Sequence, residues 1–128
     1  MNLSWVTDPA PMQVYQTIRD QRFNQSPINI SYSIPNIPTG SYTVRLHFAQ
    51  IFFSQVGDEK FDIYVNGSLV SGGFDILNVT GGQQNTAYIA SFTNVSPVSG
   101  AISVELRPLL GNSGWYNASI CGIEIVKP

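Results

Sequence analysis

The stretch "YTVRLHFAQIFFSQVGDEKFDIYVNG", residues 42–67, contains two runs of alternating residues separated by a loop. Successive side chains of an extended strand point to opposite faces, so an apolar residue at every second position predicts a strand with one buried face. The predicted inward side chains are Tyr42, Val44, Leu46, Phe48, Phe61, Ile63 and Val65. The predicted outward side chains of the first run are Thr43, Arg45 and His47. Asn66-Gly67 then supplies a hairpin turn.

The same alternation recurs along the rest of the chain. Further strands are predicted at residues 28–34, 68–70, 87–92, 101–106 and 120–126. The first of these is expected to direct Ile28, Ile30, Tyr32 and Ile34 toward the core. Turn residues separate these short runs, and no window has a helical period over a useful length. The sequence therefore predicts an all-β fold, an antiparallel β-sandwich of the jelly-roll-like kind.

Length and composition indicate a single domain. The chain has 128 residues, of which 43% are hydrophobic, enough for one core and too few for two domains. Only 11% are charged and the net charge is −2, so the chain lacks the basic surface that nucleic acid or anionic lipid requires. No apolar run approaches the length needed to span a bilayer. We therefore expect neither nucleic-acid binding nor direct membrane insertion.

The first residues of the chain are predicted to lie outside the domain. Pro9 and Pro11 break any long strand, so residues 1–12 are predicted to form an N-terminal segment or linker. The domain is then predicted to span residues 13–128. The first residues lack the charged start and apolar run of a signal peptide.

The polar residues give little support for catalysis. His47 is the only histidine and lies on the predicted polar face of its strand, so we expect it to be solvated. Cys121 is the only cysteine and is expected to be a buried structural thiol. The eight carboxylates, Glu59 among them, are scattered, and solvated positions are expected for them. The sequence therefore predicts a protein that is not an enzyme, with no metal site and no cofactor.

Asparagine sequons indicate exposure to the secretory pathway. Seven of the ten asparagines begin an Asn-x-Ser/Thr sequon, the acceptor motif for N-glycosylation. Two of them, Asn24 and Asn94, are weakened by a proline after the sequon. The remaining candidates are Asn2, Asn29, Asn66, Asn78 and Asn117. The alternative is a surface rich in Ser and Asn that is never glycosylated. We expect an extracellular or secretory-pathway location, as part of a larger protein.

Two pairs of aromatic residues do not fit the alternation. Phe52 and Phe53 are adjacent where the first run ends, and one core cannot accept both neighbours of an extended chain. Trp115 and Tyr116 lie in the Gly/Asn-rich stretch "GNSGWYN", where aromatics are often presented to a ligand. Trp115 fits equally well as a cover on the edge of the sandwich.

An ordered series of fragments resembles the malectin domain. They are "VYQTIR", "YSIP", "GSYTVRLHFAQIFF", "EKFDIYVNGSLV", "FDI", "GG" and a closing "ICGIEI". The resemblance runs from about Val14 to Val126. The matched fragments are most similar to the plant receptor-like type, and the family's N-terminal segment has no counterpart among them. It implies a malectin-type β-sandwich that binds carbohydrate.

The resemblance also suggests where the sugar would bind. Phe52 and Phe53 match an aromatic pair that contributes ring faces to the family's sugar site. Two other family contacts differ here: Asp20 stands where the family has a tyrosine, and Tyr116 aligns with its sugar-contacting aspartate. The candidate ligand-binding residues are Phe52, Phe53, Asp20, Tyr116, Trp115 and Arg19. Gln16 and Asn117 are further polar candidates.

Two functions remain open from the sequence. The first is a non-catalytic carbohydrate-binding module for glucose-containing oligosaccharides. The alternative is an extracellular domain for protein or peptide interaction that has kept the fold and lost the sugar site. The missing family strand predicts an unpaired sheet edge, through which the chain could dimerise unless residues 1–12 cover it.

Overall fold

A computed structural model describes residues 1–20 and 25–128. Two one-turn helices occur within this part of the chain, α1 (Met12–Tyr15) and α2 (Ile76–Val79). Nine strands occur in the same described part: β1 (Arg19–Asp20), β2 (Ile30–Ile34), β3 (Tyr42–Phe48), β4 (Lys60–Val65), β5 (Ser68–Phe74), β6 (Tyr88–Val95), β7 (Ile102–Leu109), β8 (Ser119–Ile120) and β9 (Gly122–Val126). No helix in the described ranges is long and apolar enough to cross a membrane.

The strands form the predicted antiparallel β-sandwich. One sheet has the order β2-β7-β4-β5 and the other has the order β6-β3-β9. β1 and β8 form a small separate sheet, and every pairing between these strands is antiparallel. The two main sheets share one apolar core, which includes Val44, Leu46 and Phe48 from the middle strand of the three-stranded sheet.

The hairpin between β4 and β5 forms where the sequence predicts it. Asn66 and Gly67 have φ angles of 50° and 78°, the positive values that a tight primed turn requires at both central positions. The prediction for the start of β2 is wrong, because Ile28 is 45% exposed and lies before the first paired residue, Ile30.

The N-terminal segment packs along the outer face of the three-stranded sheet. Asn2 bridges to Thr86, and the main-chain amide of Ala87 donates to the Asn2 carbonyl at 2.8 Å. Arg45 on β3 donates to the carbonyls of Thr7 and Asp8. Apolar side chains of the segment surround a second, smaller core: Met1, Leu3, Val6 and Ala10 against Tyr15, Ala49 and Ala87.

This covering makes the predicted solvation of His47 wrong. His47 is only 1% exposed. The Ala10 amide donates to the Tyr15 hydroxyl at 3.1 Å, which leaves that hydroxyl to donate to Nδ1 of His47 at 2.6 Å. Nε2 of His47 then donates to Glu124 at 2.5 Å. Burial lowers the pKa of His47, in keeping with a neutral ring that accepts at one nitrogen and donates at the other.

We expect Tyr15→Phe to lower the free energy of unfolding by about 1–3 kcal/mol, since it leaves His47 and the Ala10 amide without their shared partner. Urea denaturation measures this change, and hydrogen exchange at Ala10 should accelerate. Tyr42→Phe is the matched control, because the Tyr42 hydroxyl makes a part-buried hydrogen bond to Pro38. Equal costs for both variants would contradict a special role for the buried chain of hydrogen bonds.

Candidate functional site

The loop between β3 and β4 is anchored by a buried glutamine. Gln50 lies two residues after Phe48, the buried end of β3, and is 3% exposed. Its side-chain oxygen accepts hydrogen bonds from the main-chain amides of Phe52 and Phe53, both at 3.0 Å. Two bonds to one oxygen fix the direction of the chain at this turn.

The turn separates the two adjacent phenylalanines. Phe53 is buried at 7% exposure, whereas Phe52 is 43% exposed. Their rings meet edge to face with centroids 4.9 Å apart, a favourable arrangement for two aromatic rings. The Gln84 side chain also donates to the Phe53 carbonyl, at 2.7 Å. One ring of the pair is therefore core, and the other is presented on a fixed backbone.

A buried carboxylate lies behind Gln50. Glu59 is 3% exposed, so the expected solvated position is wrong for this residue. It accepts a hydrogen bond from the Gln50 side-chain amide at 3.2 Å and another from the Ser119 hydroxyl at 2.7 Å. Burial raises the pKa of Glu59 to about 7, and the negative charges of Asp20 and Asp75 act in the same direction.

A second buried carboxylate attaches this loop to helix α2. Asp75 is 8% exposed, which also departs from the expected solvation. One of its oxygens caps the helix by accepting from the amides of Leu77 and Asn78. The other oxygen accepts from the Gly57 amide at 2.6 Å. Asp75 therefore ties the far end of the loop to the helix.

The loop that carries Trp115 and Tyr116 packs against the same region. The Asn112 amide donates to the Gly57 carbonyl at 2.8 Å, and the Ser113 hydroxyl donates to the Asp58 carbonyl at 2.8 Å. A Cβ at Gly111 would lie 2.8 Å from the Asp58 carbonyl carbon and closer still to its oxygen, so only glycine permits this approach. Trp115 and Tyr116 are both partly buried.

The two charged candidates lie on different sides of β1. Asp20 pairs with Ser119 across the small sheet, and the Ser119 hydroxyl bonds to Glu59 behind the aromatic pair. Arg19 instead places its guanidinium 5.0 Å from the centroid of the Tyr32 ring. Arg19 therefore belongs to another surface.

That other surface is a groove of about 390 Å³ between the edge strands β2 and β9. Its walls are mainly aliphatic and include Ile34, Ile123 and Ile125. None of five grooves on the described surface has Phe52 or Phe53 on its walls. Within the described ranges, no group of three or more His, Cys, Asp or Glu is arranged to hold a metal ion.

The asparagines differ widely in exposure. Asn117 is fully buried, so its proposed roles as a glycan acceptor and as a ligand contact are incompatible with the folded chain. Asn66 is partly buried and its side chain bonds to Ser96 and Ser103. Four sequon asparagines are exposed: Asn2, Asn29, Asn78 and Asn94. Asn24 lies outside the described residues.

Sequence reasoning found the aromatic pair and missed the residues that fix it. Gln50 has a recognisable signal, a single polar residue within the apolar run "FAQIFF". Glu59, Ser119 and Gln84 have none, because their partners lie far from them in sequence.

Phe52 is an exposed aromatic ring on a loop that hydrogen bonds hold in place, which is a surface that can contact a ligand. The model of the Malectin domain family matches residues 4–122. The chain therefore belongs to the malectin domain family, whose fold binds carbohydrate.

Curated relatives include an animal malectin and plant receptor kinases. The chain is 30% identical over 134 residues to Malectin-B of Xenopus laevis, covering 94% of this chain and 44% of that protein. It is 29% identical over 125 residues to the receptor-like protein kinase THESEUS 1 of Arabidopsis thaliana, covering 94% of this chain and 14% of that protein. The chain thus spans less than half the length of either relative.

Solved structures share the fold. The ANX1 ectodomain from Arabidopsis thaliana superposes with a TM-score of 0.77 at 23% identity, over 90% of this chain and 32% of that one. A crystal structure of the plant peptide RALF23 in complex with FER and LLG2 superposes with a TM-score of 0.76 at 22% identity, over 90% of this chain and 32% of the matched chain.

We expect Glu59→Gln to remove a pH dependence of stability. The pKa of Glu59 rises from 4.5 to about 7 on folding, so between these values the folded chain holds a proton that the unfolded chain has lost. The contribution of Glu59 is therefore full below pH 4.5, declines as the pH rises toward 7, and is lost above it. Relative to wild type, the variant should gain roughly 2–4 kcal/mol between pH 4.5 and pH 8.

Urea denaturation of both proteins across this pH range measures the difference. Asp62→Asn is the control, because Asp62 is a partly exposed carboxylate on β4 that bonds to the Gly73 amide and to none of the Glu59 partners named above. A difference between Glu59→Gln and wild type that stays constant with pH would contradict the raised pKa.

Proposed function

We propose that this chain is a non-catalytic carbohydrate-binding module for glucose-containing oligosaccharides. We further propose that it works in an extracellular or secretory-pathway compartment, as part of a larger protein. Membership of the malectin domain family supports the ligand class. The receptor-like kinases and malectin among its relatives support the compartment.

The exposed ring of Phe52 carries the proposal. Its backbone is held by Gln50 on one side and by Gln84 on the other, so the ring is presented without a large loss of loop entropy on binding. The C–H-rich face of a glucose ring can lie on such an aromatic face and bury apolar area while its hydroxyls stay hydrogen-bonded. Phe53 supports the ring from behind.

We expect Phe52→Ala to weaken the binding of maltose or nigerose by about tenfold or more, which corresponds to about 1.4 kcal/mol of lost ring contact. Titration of the ¹⁵N-labelled protein, followed by amide chemical shifts, measures the affinity and locates the site. Val56→Ala is the matched control, since Val56 is an apolar residue of the same loop with 49% exposure. It should leave the affinity unchanged.

Two results would contradict this proposal. One is the absence of saturable shifts with millimolar sugar in the wild type. The other is saturable shifts that persist unchanged in Phe52→Ala, which would place the sugar elsewhere.

A second candidate function is recognition of an extended protein segment. The groove between β2 and β9 favours it, because within residues 1–20 and 25–128 both strands end their sheets, beside aliphatic side chains. Such an edge can accept a strand from a peptide partner or from a second copy of this chain. The peptide-bound relative FER has the same fold.

If the edge accepts a second copy, sedimentation over a wide concentration range should show a dimer that Ile125→Lys abolishes. The variant places a charge on the groove wall, where pairing would bury it. Val98→Lys is the control, because Val98 is 63% exposed and outside this groove. A wild type that stays monomeric throughout would rule out the self-pairing form of this candidate.

A further inference from the structure

We propose that Glu59 is the positioning residue of the aromatic pair: acting through Gln50, it sets the backbone of Phe52 and Phe53 and thereby the affinity of Phe52 for its ligand. The affinity part of this inference rests on the proposed sugar-binding function. The positioning part concerns the loop alone and is measurable without a sugar.

The orientation of the Gln50 side chain is fixed by its partners. The amides of Phe52 and Phe53 can only donate, so the atom that meets both of them must be the oxygen of Gln50. The nitrogen of Gln50 must then point the other way, toward Glu59 at 3.2 Å. The same carboxylate oxygen accepts from Ser119. A hydrogen-bonded chain therefore runs from β8 through Glu59 and Gln50 to the aromatic pair.

Burial makes this hydrogen-bonded chain of side chains sensitive to the loss of any one of its hydrogen bonds. Gln50 and Glu59 are both 3% exposed and Ser119 is 2% exposed, so water cannot readily replace a lost partner. If Glu59 stops accepting, the Gln50 nitrogen has no partner in place and the side chain must turn. Its oxygen then leaves the two amides, and the presented ring of Phe52 moves with them.

The charge on Glu59 should change the strength of the hydrogen bonds in this series of side chains. Asp20 on β1 and Asp75 before α2 are the charged groups that act on it, and both disfavour its ionisation. An ionised carboxylate accepts stronger hydrogen bonds than a protonated one. The loop should therefore be held more firmly on the basic side of the Glu59 titration than on the acidic side.

A charge exchange between the two positions tests the inference. In Gln50→Glu, the new carboxylate keeps an oxygen for the two amides but turns its second oxygen toward Glu59, where two like charges then meet. Adding Glu59→Gln places a neutral amide opposite, which can donate to position 50, while its own oxygen accepts from Ser119. The double variant should therefore restore the arrangement that the single variant loses.

The first readout uses no sugar. At pH 8, Gln50→Glu should shift the amide resonances of Phe52 and Phe53 and speed their hydrogen exchange about tenfold or more, equivalent to 1.4 kcal/mol. The double variant should return both close to the wild-type values. In the wild type, the two amide shifts should also titrate with a midpoint near that of Glu59, at about pH 7. Glu59→Gln should abolish this titration while keeping the loop folded.

The second readout is maltose affinity in the same variants. We expect about a tenfold loss in Gln50→Glu at pH 8 and recovery to within about threefold of wild type in the double variant. If the wild type binds no sugar, the proposed function fails, while the amide readout still decides the positioning role. The positioning role would be overturned if the Phe52 and Phe53 amide shifts changed neither in Gln50→Glu nor with the titration of Glu59. If Gln50→Glu does not fold, the wild-type and Glu59→Gln titrations decide it.

Discussion

The burial of both faces of β3 is the constraint on which the rest of the structure depends. Its inner face contributes Val44, Leu46 and Phe48 to the core, and its outer face lies under the N-terminal segment. The chain leaves the sheet after Phe48. Gln50 then turns it so that one phenylalanine stays inside and the other is presented.

Alternation predicted the sheets well because it reports which face of a strand each side chain takes. It does not report what covers that face. His47 was assigned to the correct side of β3, but the segment that buries it begins more than forty residues earlier. The prediction for Ile28 is wrong for a different reason. The apolar alternation starts at Ile28, two residues before β2 begins to pair with β7 at Ile30.

The aromatic pair was predictable because adjacent apolar residues conflict with alternation. The polar chain behind it was not, since Gln50 and Glu59 lie nine residues apart and Ser119 lies sixty residues beyond Glu59. In sequence, a buried carboxylate with a pKa near 7 is indistinguishable from a solvated one. Asn117 shows the same limit, because its sequon gives no sign that the side chain is enclosed.

The distribution of charge separates the two candidate surfaces. The negative charges of Asp20 and Asp75 raise the pKa of Glu59 near the aromatic pair, so an acidic ligand would meet repulsion there, whereas sugar hydroxyls can donate to acceptors. Arg19, next to Asp20 in sequence, projects to the other side of β1 and over Tyr32. The β2–β9 groove therefore carries a positive group and the loop end carries negative ones. This charge distribution favours a neutral sugar at the loop end and a segment with an acidic residue in the groove, so the two proposed functions need not compete for one surface.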